Sequence, residues 1–126
     1  MLPRGPAKRL TIIVGEQDRF GHRPLAAELV ERAHTAGLAG VTVSRGIEGY
    51  GGSSHLHTAR ILSLSDDLPI TIVIVDAAAA VESFAAEVLG LFEGGLVTVE
   101  EVEVLRHATT FQAPDDGAPG DGGGAS

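Results

Sequence analysis

Segment 68–76 constrains the fold of this chain more than any other segment, because it is apolar on both sides of an extended backbone. It reads LPITIVIVD. Successive side chains of a β-strand point to opposite faces of the sheet, so the leucine and the three isoleucines would share one face while Val73 and Val75 share the other. A strand that is apolar on both faces is typically buried on both faces. Both sides of the sheet that contains this strand must therefore be covered.

Hydrophobic spacing predicts three further strands and two helices. Segments 8–16 and 40–47 are rich in β-branched residues or alternate apolar with polar residues, and 102–105 is a short final strand. Segments 24–36 and 77–92 repeat apolar residues at spacings of three and four, as a helix with one buried face does. We therefore expect an α+β fold of the ferredoxin-like βαββαβ type, a sandwich in which two helices cover one face of an antiparallel four-stranded sheet.

Proline, glycine and capping residues predict where the helices begin and end. Pro24 suits the first position of the first helix, because that position needs no backbone donor. Gly37 would end this helix, and the two glycines at 94–95 would end the second one. Thr98 and Glu101 have the spacing of a capping box, so one helical turn before the last strand is an alternative to extended chain.

The chain has 126 residues, enough for one domain, and 44% of them are hydrophobic. We expect the folded domain to span 8–107. Residues 108–126 are rich in glycine, proline and aspartate and cannot bury enough apolar surface to offset the entropy of ordering, so we expect a disordered tail. Residues 1–7 are expected to form a flexible N-terminus for the same reason.

The two predicted helices can cover only one face of the sheet. The first strand is also apolar on its second face, where Ile13 points away from Ile12 and Val14. We therefore predict that copies of the chain associate through the sheet, most simply as a closed cyclic ring. An over-hydrophobic monomer is the alternative.

Composition disfavours several classes of protein. The chain has no cysteine, which rules out disulfides, zinc–thiolate sites and thiol nucleophiles. Its formal net charge of -8 and its aromatic content of 4% disfavour nucleic acid as a partner. No apolar run approaches the ~20 residues that span a bilayer, so we do not expect a membrane protein. The first residues lack the pattern of a signal peptide, and we expect a cytoplasmic location.

The connection 48–67 is about twenty residues long, and loops of this length inside a compact domain are usually functional or disordered. It begins EGYGGSS and continues with two histidines and Arg60. Glycine amides can approach an anion closely and serine hydroxyls add donors, so this segment is a candidate site for a small anion. The alternative is that the glycines only permit tight turning. Gly52, Ser53 and Arg60 are candidate ligands.

The histidines open two further hypotheses. His55 and His57 would point the same way from an extended chain and could chelate a transition metal, although a carboxylate or a second subunit would have to complete the site. Ser53 or Ser54 beside either histidine is a candidate nucleophile–base pair, but no spacing of a catalytic triad supports it. The alternatives to an anion-binding protein are therefore a metal-binding protein and a small hydrolase.

Several motifs resemble those of a known family. Residues 41–51 read VTVSRGIEGYG and resemble the second strand and the start of the long T-loop of PII signal-transduction proteins. The chain as a whole is similar to a PII-like family known as domain of unknown function 190 (DUF190), with which it shares GEQDR, RPL, RGIEGYG, HTARILSLSDDLPI and EGGLVTVEEVEVLR. The resemblance covers residues 8–106.

This resemblance implies a PII-like homotrimer whose sheets pack toward a central axis. It also implies an adenine nucleotide or a related effector in the clefts between subunits, and a T-loop, here 48–67, that docks on a membrane transporter or an enzyme. The chain would then be a regulator rather than an enzyme. The metal-binding alternative would resemble the copper-tolerance relatives of this fold.

The same resemblance assigns the effector site to particular residues. The glycine–tyrosine–glycine run matches the base of the T-loop, and the glycines at 94–95 match the B-loop beside the neighbouring cleft. PII proteins carry lysine and arginines around that loop, whereas 94–106 holds three glutamates and only Arg106. A triphosphate would face acidic walls there, which leaves a monophosphate, another small anion or no nucleotide as alternatives to ATP. The candidate effector-binding residues are Arg45, Gly49, Tyr50, Gly51, Gly52, Ser53, Arg60, Gly94, Gly95 and Arg106.

Overall fold

The computed structural model describes residues 2–46 and 67–108. The elements in these ranges are β1 (Gly5–Gly15), β2 (Arg19–Phe20), β3 (Arg23–Pro24), α1 (Leu25–Thr35), β4 (Thr42–Arg45), β5 (Pro69–Asp76), α2 (Ala78–Leu89) and β6 (Leu96–Val104). The two-residue strands β2 and β3 form a short hairpin of their own ahead of α1.

The other four strands form an antiparallel sheet with the order β4-β5-β1-β6. β1 pairs with β5 in a register that sets Ile12 opposite Ile72, and with β6 in a register that sets Ile12 opposite Val97. β4 pairs with the outer side of β5. The predicted ferredoxin-like arrangement of two helices and an antiparallel four-stranded sheet is therefore confirmed.

One hydrophobic cluster fills the space between the sheet and both helices. The central strands and the helices contribute three buried side chains each: Leu10, Ile12 and Val14 from β1, Ile70, Ile72 and Ile74 from β5, Leu25, Leu29 and Ala33 from α1, and Val81, Phe84 and Val88 from α2. The alternate spacing in the strands and the spacing of three and four in the helices are those of the predicted faces. Because all four elements share this cluster, both helices lie on the same face of the sheet.

The opposite face of the sheet carries apolar side chains that the helices do not cover. Ile13, Val73 and Val75 are half-buried there, Leu96 on β6 is 52% exposed, and Thr11 lies opposite Val73. We call this side of the sheet the open face. The prediction that the central strands are apolar on both faces is confirmed, and within the described ranges helices cover only one of those faces.

Glycine ends α1 as predicted. Gly37 has a φ of +78°, in the left-handed region where a side chain would be strained. The N–H of Leu38 donates to the carbonyl of Ala33 at 3.2 Å, and the N–H of Gly37 donates to the carbonyl of His34 at 3.0 Å. These two bonds form a Schellman ending. Ala36, the last residue of the predicted helical segment 24–36, is the exposed C-cap residue.

Two other helix boundaries differ from prediction. Pro24 is the extended residue before α1, with φ -60° and ψ 136°, because it pairs with Arg19 in the short hairpin. α2 ends at Leu89 with Gly90 as its C-cap, so the glycines at 94–95 lie in the turn beyond it. Phe92, the last residue of the predicted helical segment 77–92, packs against the core from that turn.

The last strand is longer than predicted, and the predicted alternative of a helical turn within it is wrong. Thr98 pairs with Thr11 and Glu101 pairs with Lys8, both within β6 and β1. Pairing along the whole length of β1 satisfies the backbone groups that a capping box would satisfy locally. Strand formation here depends on the neighbouring strand more than on local propensity.

The N-terminal boundary also differs from prediction. β1 begins at Gly5, which pairs with Val104, and the backbone N–H of Leu2 donates to Nδ1 of His107 at 2.7 Å. The folded domain therefore starts earlier than predicted, because β6 extends far enough to pair with these residues. Of the predicted tail, everything after residue 108 lies outside the described residues.

Replacing a core isoleucine tests this assignment of the two faces. Ile72 is fully buried between the sheet and the helices, so Ile72→Ala should lower the free energy of unfolding by about 2–5 kcal/mol through lost burial and a residual cavity. Val43, its neighbour on β4, is 48% exposed, and Val43→Ala should cost less than about 1 kcal/mol. Urea denaturation measures both values, and equal losses would contradict the location of the core.

Candidate functional site

The connection 47–66 begins and ends at one corner of the sheet. The N–H of Gly46 donates to the carbonyl of Pro69 at 2.8 Å, and the N–H of Glu16 donates to the carbonyl of Leu68 at 2.7 Å. The end of β4, the start of β5 and the end of β1 are thus held side by side. We call this region the loop-base corner, and it comprises Glu16, Gln17, Arg45, Gly46 and Asp67.

Arg45 forms a two-pronged ion pair with Glu16 at this corner. Its Nε donates to one carboxylate oxygen of Glu16 at 2.8 Å and its Nη2 donates to the other at 3.2 Å. The side chain of Arg45 is 53% exposed and that of Glu16 is 32% exposed. Arg45 is the last residue of the edge strand β4 and Glu16 directly follows β1, so the pair joins the ends of the two strands that flank β5.

Asp67 fastens the other end of the connection to β1. One of its carboxylate oxygens accepts a hydrogen bond from the N–H of Gln17 at 2.6 Å. Its carboxylate lies where a Cβ at residue 15 would stand, so Gly15 leaves the space that Asp67 fills. Asp18 closes the turn that follows, because its side chain accepts the N–H of Gly15 at 2.9 Å and its carbonyl accepts the N–H of Leu25 at 2.8 Å.

These contacts give a structural role to GEQD at 15–18, which was known from the sequence only as part of a motif that resembles a family motif. Each of the four residues joins β1 to the ends of the long connection or to the start of α1. Glu16 is the functional candidate that sequence reasoning missed. A signal was available, since it is an acidic residue directly after a buried strand, but its partner Arg45 is distant in sequence.

Gly94 and Gly95 lie at the same end of the sheet as the loop-base corner, in the turn before β6. Both have positive φ angles, +91° and +70°, and a Cβ at Gly95 would come within 2.7 Å of the carbonyl oxygen of Ile13. Arg45 is on the opposite edge of the sheet, three strand spacings or roughly 14 Å away. The structure brings these candidate residues to one end of the sheet without direct contact.

Arg106 lies at the other end of the same sheet. It follows β6 and lines a groove of about 450 Å³ on the open face, together with Leu2, Val75, Val102 and His107. The nine residues of β6 separate it from Gly95 by roughly 27 Å. Within one subunit Arg106 and the glycines at 94–95 therefore belong to different sites.

The remaining candidates fall on 47–66 and lie outside the described residues. They are Gly49, Tyr50, Gly51, Gly52, Ser53 and Arg60 for the effector, His55 and His57 for a metal, and Ser54 for hydrolysis. Within residues 2–46 and 67–108, no group of three or more His, Asp or Glu side chains lies close enough to hold a metal ion.

Other charged side chains join the layers of the fold. Arg32 on α1 donates to Glu28 at 2.8 Å and to Glu87 on α2 at 3.0 Å, and these bonds, the first above all, raise the pKa of Arg32. Lys8 on β1 donates to Glu82 on α2 at 2.5 Å, which raises the pKa of Lys8. These pairs hold the helices to each other and to the sheet, away from the loop-base corner.

Comparison with protein families and curated proteins gives a consistent match. Residues 7–104 match the model of the DUF190 family, described as Uncharacterized ACR. A UPF0166 protein of Aquifex aeolicus (strain VF5) is 36% identical over 98 residues, which are 78% of this chain and 92% of the relative.

Solved structures with the same fold include PII-like proteins. A putative PII-like signaling protein from Thermus thermophilus matches with a TM-score of 0.57 and 18% identity, over 82% of this chain and 94% of its own. CPII from Thiomonas intermedia K12, a nitrogen regulatory PII-like protein bound to ADP, AMP and bicarbonate, matches with a TM-score of 0.54 and 25% identity, over 84% of this chain and 94% of its own.

Neither helix in the described part of our chain has the length and apolarity needed to cross a membrane.

Replacing the turn glycine tests the geometry of the site. Gly95→Ala should lower the free energy of unfolding by about 1–3 kcal/mol, because the new Cβ meets the Ile13 carbonyl and the φ of +70° is strained for alanine. Gly90→Ala is the matched control, since Gly90 has a helical backbone and a Cβ there makes only ordinary contacts at 3.6 Å or more. The control should be neutral or slightly stabilising. Similar losses in both variants, measured by thermal denaturation, would contradict the described turn.

Proposed function

Because this chain belongs to the DUF190 family, we propose that it is a PII-like regulatory protein rather than an enzyme. It binds a small effector in the clefts between the subunits of a homotrimer, and it offers segment 48–67 to a partner protein. The effector is an adenine nucleotide or another small anion, and the partner is a membrane transporter or an enzyme. The observation that carries the proposal is the grouping of Arg45, both ends of the connection and the turn glycines at one end of the sheet.

The open face supports association into a trimer. Ile13, Val73 and Val75 leave apolar surface in contact with water in a single subunit, and Leu96 adds to it at the edge. Burying such surface is favourable in proportion to its area. A closed ring lets every subunit cover its open face in the same way, which is the usual solution for identical chains.

The separation of Arg106 from Gly95 supports a site that is shared between subunits. The two residues lie at opposite ends of β6, so one ligand cannot touch both within one subunit. In a ring, the end of one subunit's sheet meets a neighbour, and residues from both ends can line the same cleft. An arginine from one subunit would then face the glycine turn and Arg45 of another.

Chemistry at the loop-base corner and the likeness to CPII support a small anionic effector. Arg45 is half exposed, and the edges of its planar guanidinium each carry two N–H donors in the geometry that matches a carboxylate or a phosphate. CPII, at 25% identity, has been solved with ADP, AMP and bicarbonate. Backbone hydrogen bonds from Glu16 and Gly46 anchor both ends of the connection close to Arg45, so an effector bound there would lie where a partner docks on 48–67.

A charge on the open face should prevent assembly. Ile13→Asp would put a carboxylate in the centre of the buried interface, so this variant should run as a 12.9 kDa monomer when the wild-type chain runs as a trimer. Leu89→Asp is the matched control, because Leu89 is 66% exposed at the end of α2 and away from the open face. Size-exclusion chromatography with light scattering measures the masses, and dissociation of the control alone would contradict the proposed interface.

Effector binding should stabilise the folded protein. A ligand at about 100 times its Kd adds about 2.7 kcal/mol to the free energy of unfolding when it binds only the folded state. ADP should therefore raise the Tm of the wild-type chain by several degrees, whereas adenosine, which lacks phosphates, should raise it much less. If ADP, AMP and bicarbonate all leave the Tm unchanged in a thermal-shift titration, the proposed effector site is wrong.

A further inference from the structure

We propose that Arg45 is an oxyanion-binding residue whose site Glu16 occupies until an anionic ligand displaces it. The inference rests on the proposed function, and it adds a regulating residue to that site. Glu16 acts as an internal competitor, because its carboxylate occupies the Nε/Nη2 edge of the guanidinium, the edge that we assign to the incoming anion. The ligand class is a small oxyanion, either a carboxylate-like ion or a phosphate group.

The geometry of the pair is that of a bound ligand. Arg45 contacts the two oxygens of Glu16 through Nε and Nη2, at 2.8 Å and 3.2 Å. This side-by-side pairing is the one in which guanidinium groups bind planar oxyanions. A ligand with two adjacent oxygens can therefore replace Glu16 without any change in the position of Arg45.

Solvent exposure of both side chains makes it easy for a ligand to replace Glu16 at Arg45. Both partners are accessible to water, 53% for Arg45 and 32% for Glu16, and ion pairs of this kind contribute little to stability. Glu28 on α1 is a useful contrast, because its side chain is only 13% exposed and it accepts from both Arg23 and Arg32. A ligand would have to replace that carboxylate at two arginines at once, whereas Glu16 is held by one.

Two further carboxylates at or beside the corner accept hydrogen bonds from backbone groups. Asp67 accepts from the N–H of Gln17 and Asp18 accepts from the N–H of Gly15. Because these contacts do not involve the Glu16 side chain, the ligand enters a region that keeps both of these negative side chains. Repulsion between like charges there favours a small anion of low charge over a triphosphate.

Displacement has a consequence for the connection. The Arg45–Glu16 pair is a side-chain contact between the end of β4 and the end of β1, and only Gly46 separates Arg45 from segment 47–66. The backbone bonds of Gly46 and Glu16 to the start of β5 do not involve either side chain. A bound anion therefore removes this side-chain contact and leaves the backbone hydrogen bonds of the sheet intact. Replacement of Glu16 by a ligand then changes the contacts of Arg45 directly before segment 47–66.

The test titrates inorganic phosphate into the full-length wild-type chain and into Glu16→Gln while the backbone N–H signal of Gly46, the neighbour of Arg45, is followed by NMR. Removing the competing charge should tighten phosphate binding by about two- to five-fold, the range that corresponds to an exposed ion pair. In the Arg45→Gln background, Glu16→Gln should have no effect, which makes the four proteins a double-mutant cycle. Glu31→Gln is the control, because Glu31 on α1 pairs with Arg23 at 2.7 Å, far from Arg45 in the fold. Loss of that pair should not change the affinity for phosphate.

Three results would overturn the inference: equal phosphate affinity in the wild-type chain and Glu16→Gln, a gain that persists without Arg45, or failure of phosphate to bind Glu16→Gln at all. These outcomes are separate from the thermal shift by ADP. If ADP stabilises the protein while Glu16→Gln binds phosphate no more tightly, only the competitor role is wrong, and if phosphate binding tightens while no effector stabilises the protein, only the proposed function is wrong.

Discussion

The pairing of β1 with β5 is the constraint on which the rest of this structure depends. Its register sets Ile12 opposite Ile72 and sends the adjacent side chains, Ile13 and Val73 among them, to the other face. One face is then buried under both helices, and the second keeps an apolar surface that a single chain leaves in contact with water. A slip of one residue would exchange the two faces, so a register fixed by the core also fixes the open face.

The same register builds the candidate site. It sets Gly15 opposite Pro69, so the residues that follow β1 lie beside those that precede β5. Glu16 thereby reaches Arg45, and Asp67 reaches the backbone beyond Glu16. The loop-base corner is thus a direct extension of the central strand pair, and a change that weakens the pairing would be expected to disturb the site as well as the core.

Much of the fold was predictable because its signals are local and periodic. The alternation in 68–76 and the helical spacing in both helices predicted the layers and the two apolar faces correctly. The length of β6 was missed because its glutamates interrupt the alternation, and only pairing with β1 makes it a strand. The bond between Arg45 and Glu16 joins residues far apart in sequence, so no spacing could have indicated it. The resemblance to PII-like proteins assigned Arg106 and Gly95 to one effector site. Because β6 is longer than predicted, the two residues lie at opposite ends of this strand within a subunit.

Assembly is the central claim, since the shared cleft, the effector and the docking segment all require neighbouring subunits. Native mass spectrometry of the full-length chain, purified without added ligand and measured at micromolar concentration, tests it most directly. The account predicts a trimer of 12.9 kDa chains, with any co-purified small molecule retained in proportion to the subunits. A folded monomer as the main species would contradict it, because an open face that is stable in water needs no partner and offers no cleft.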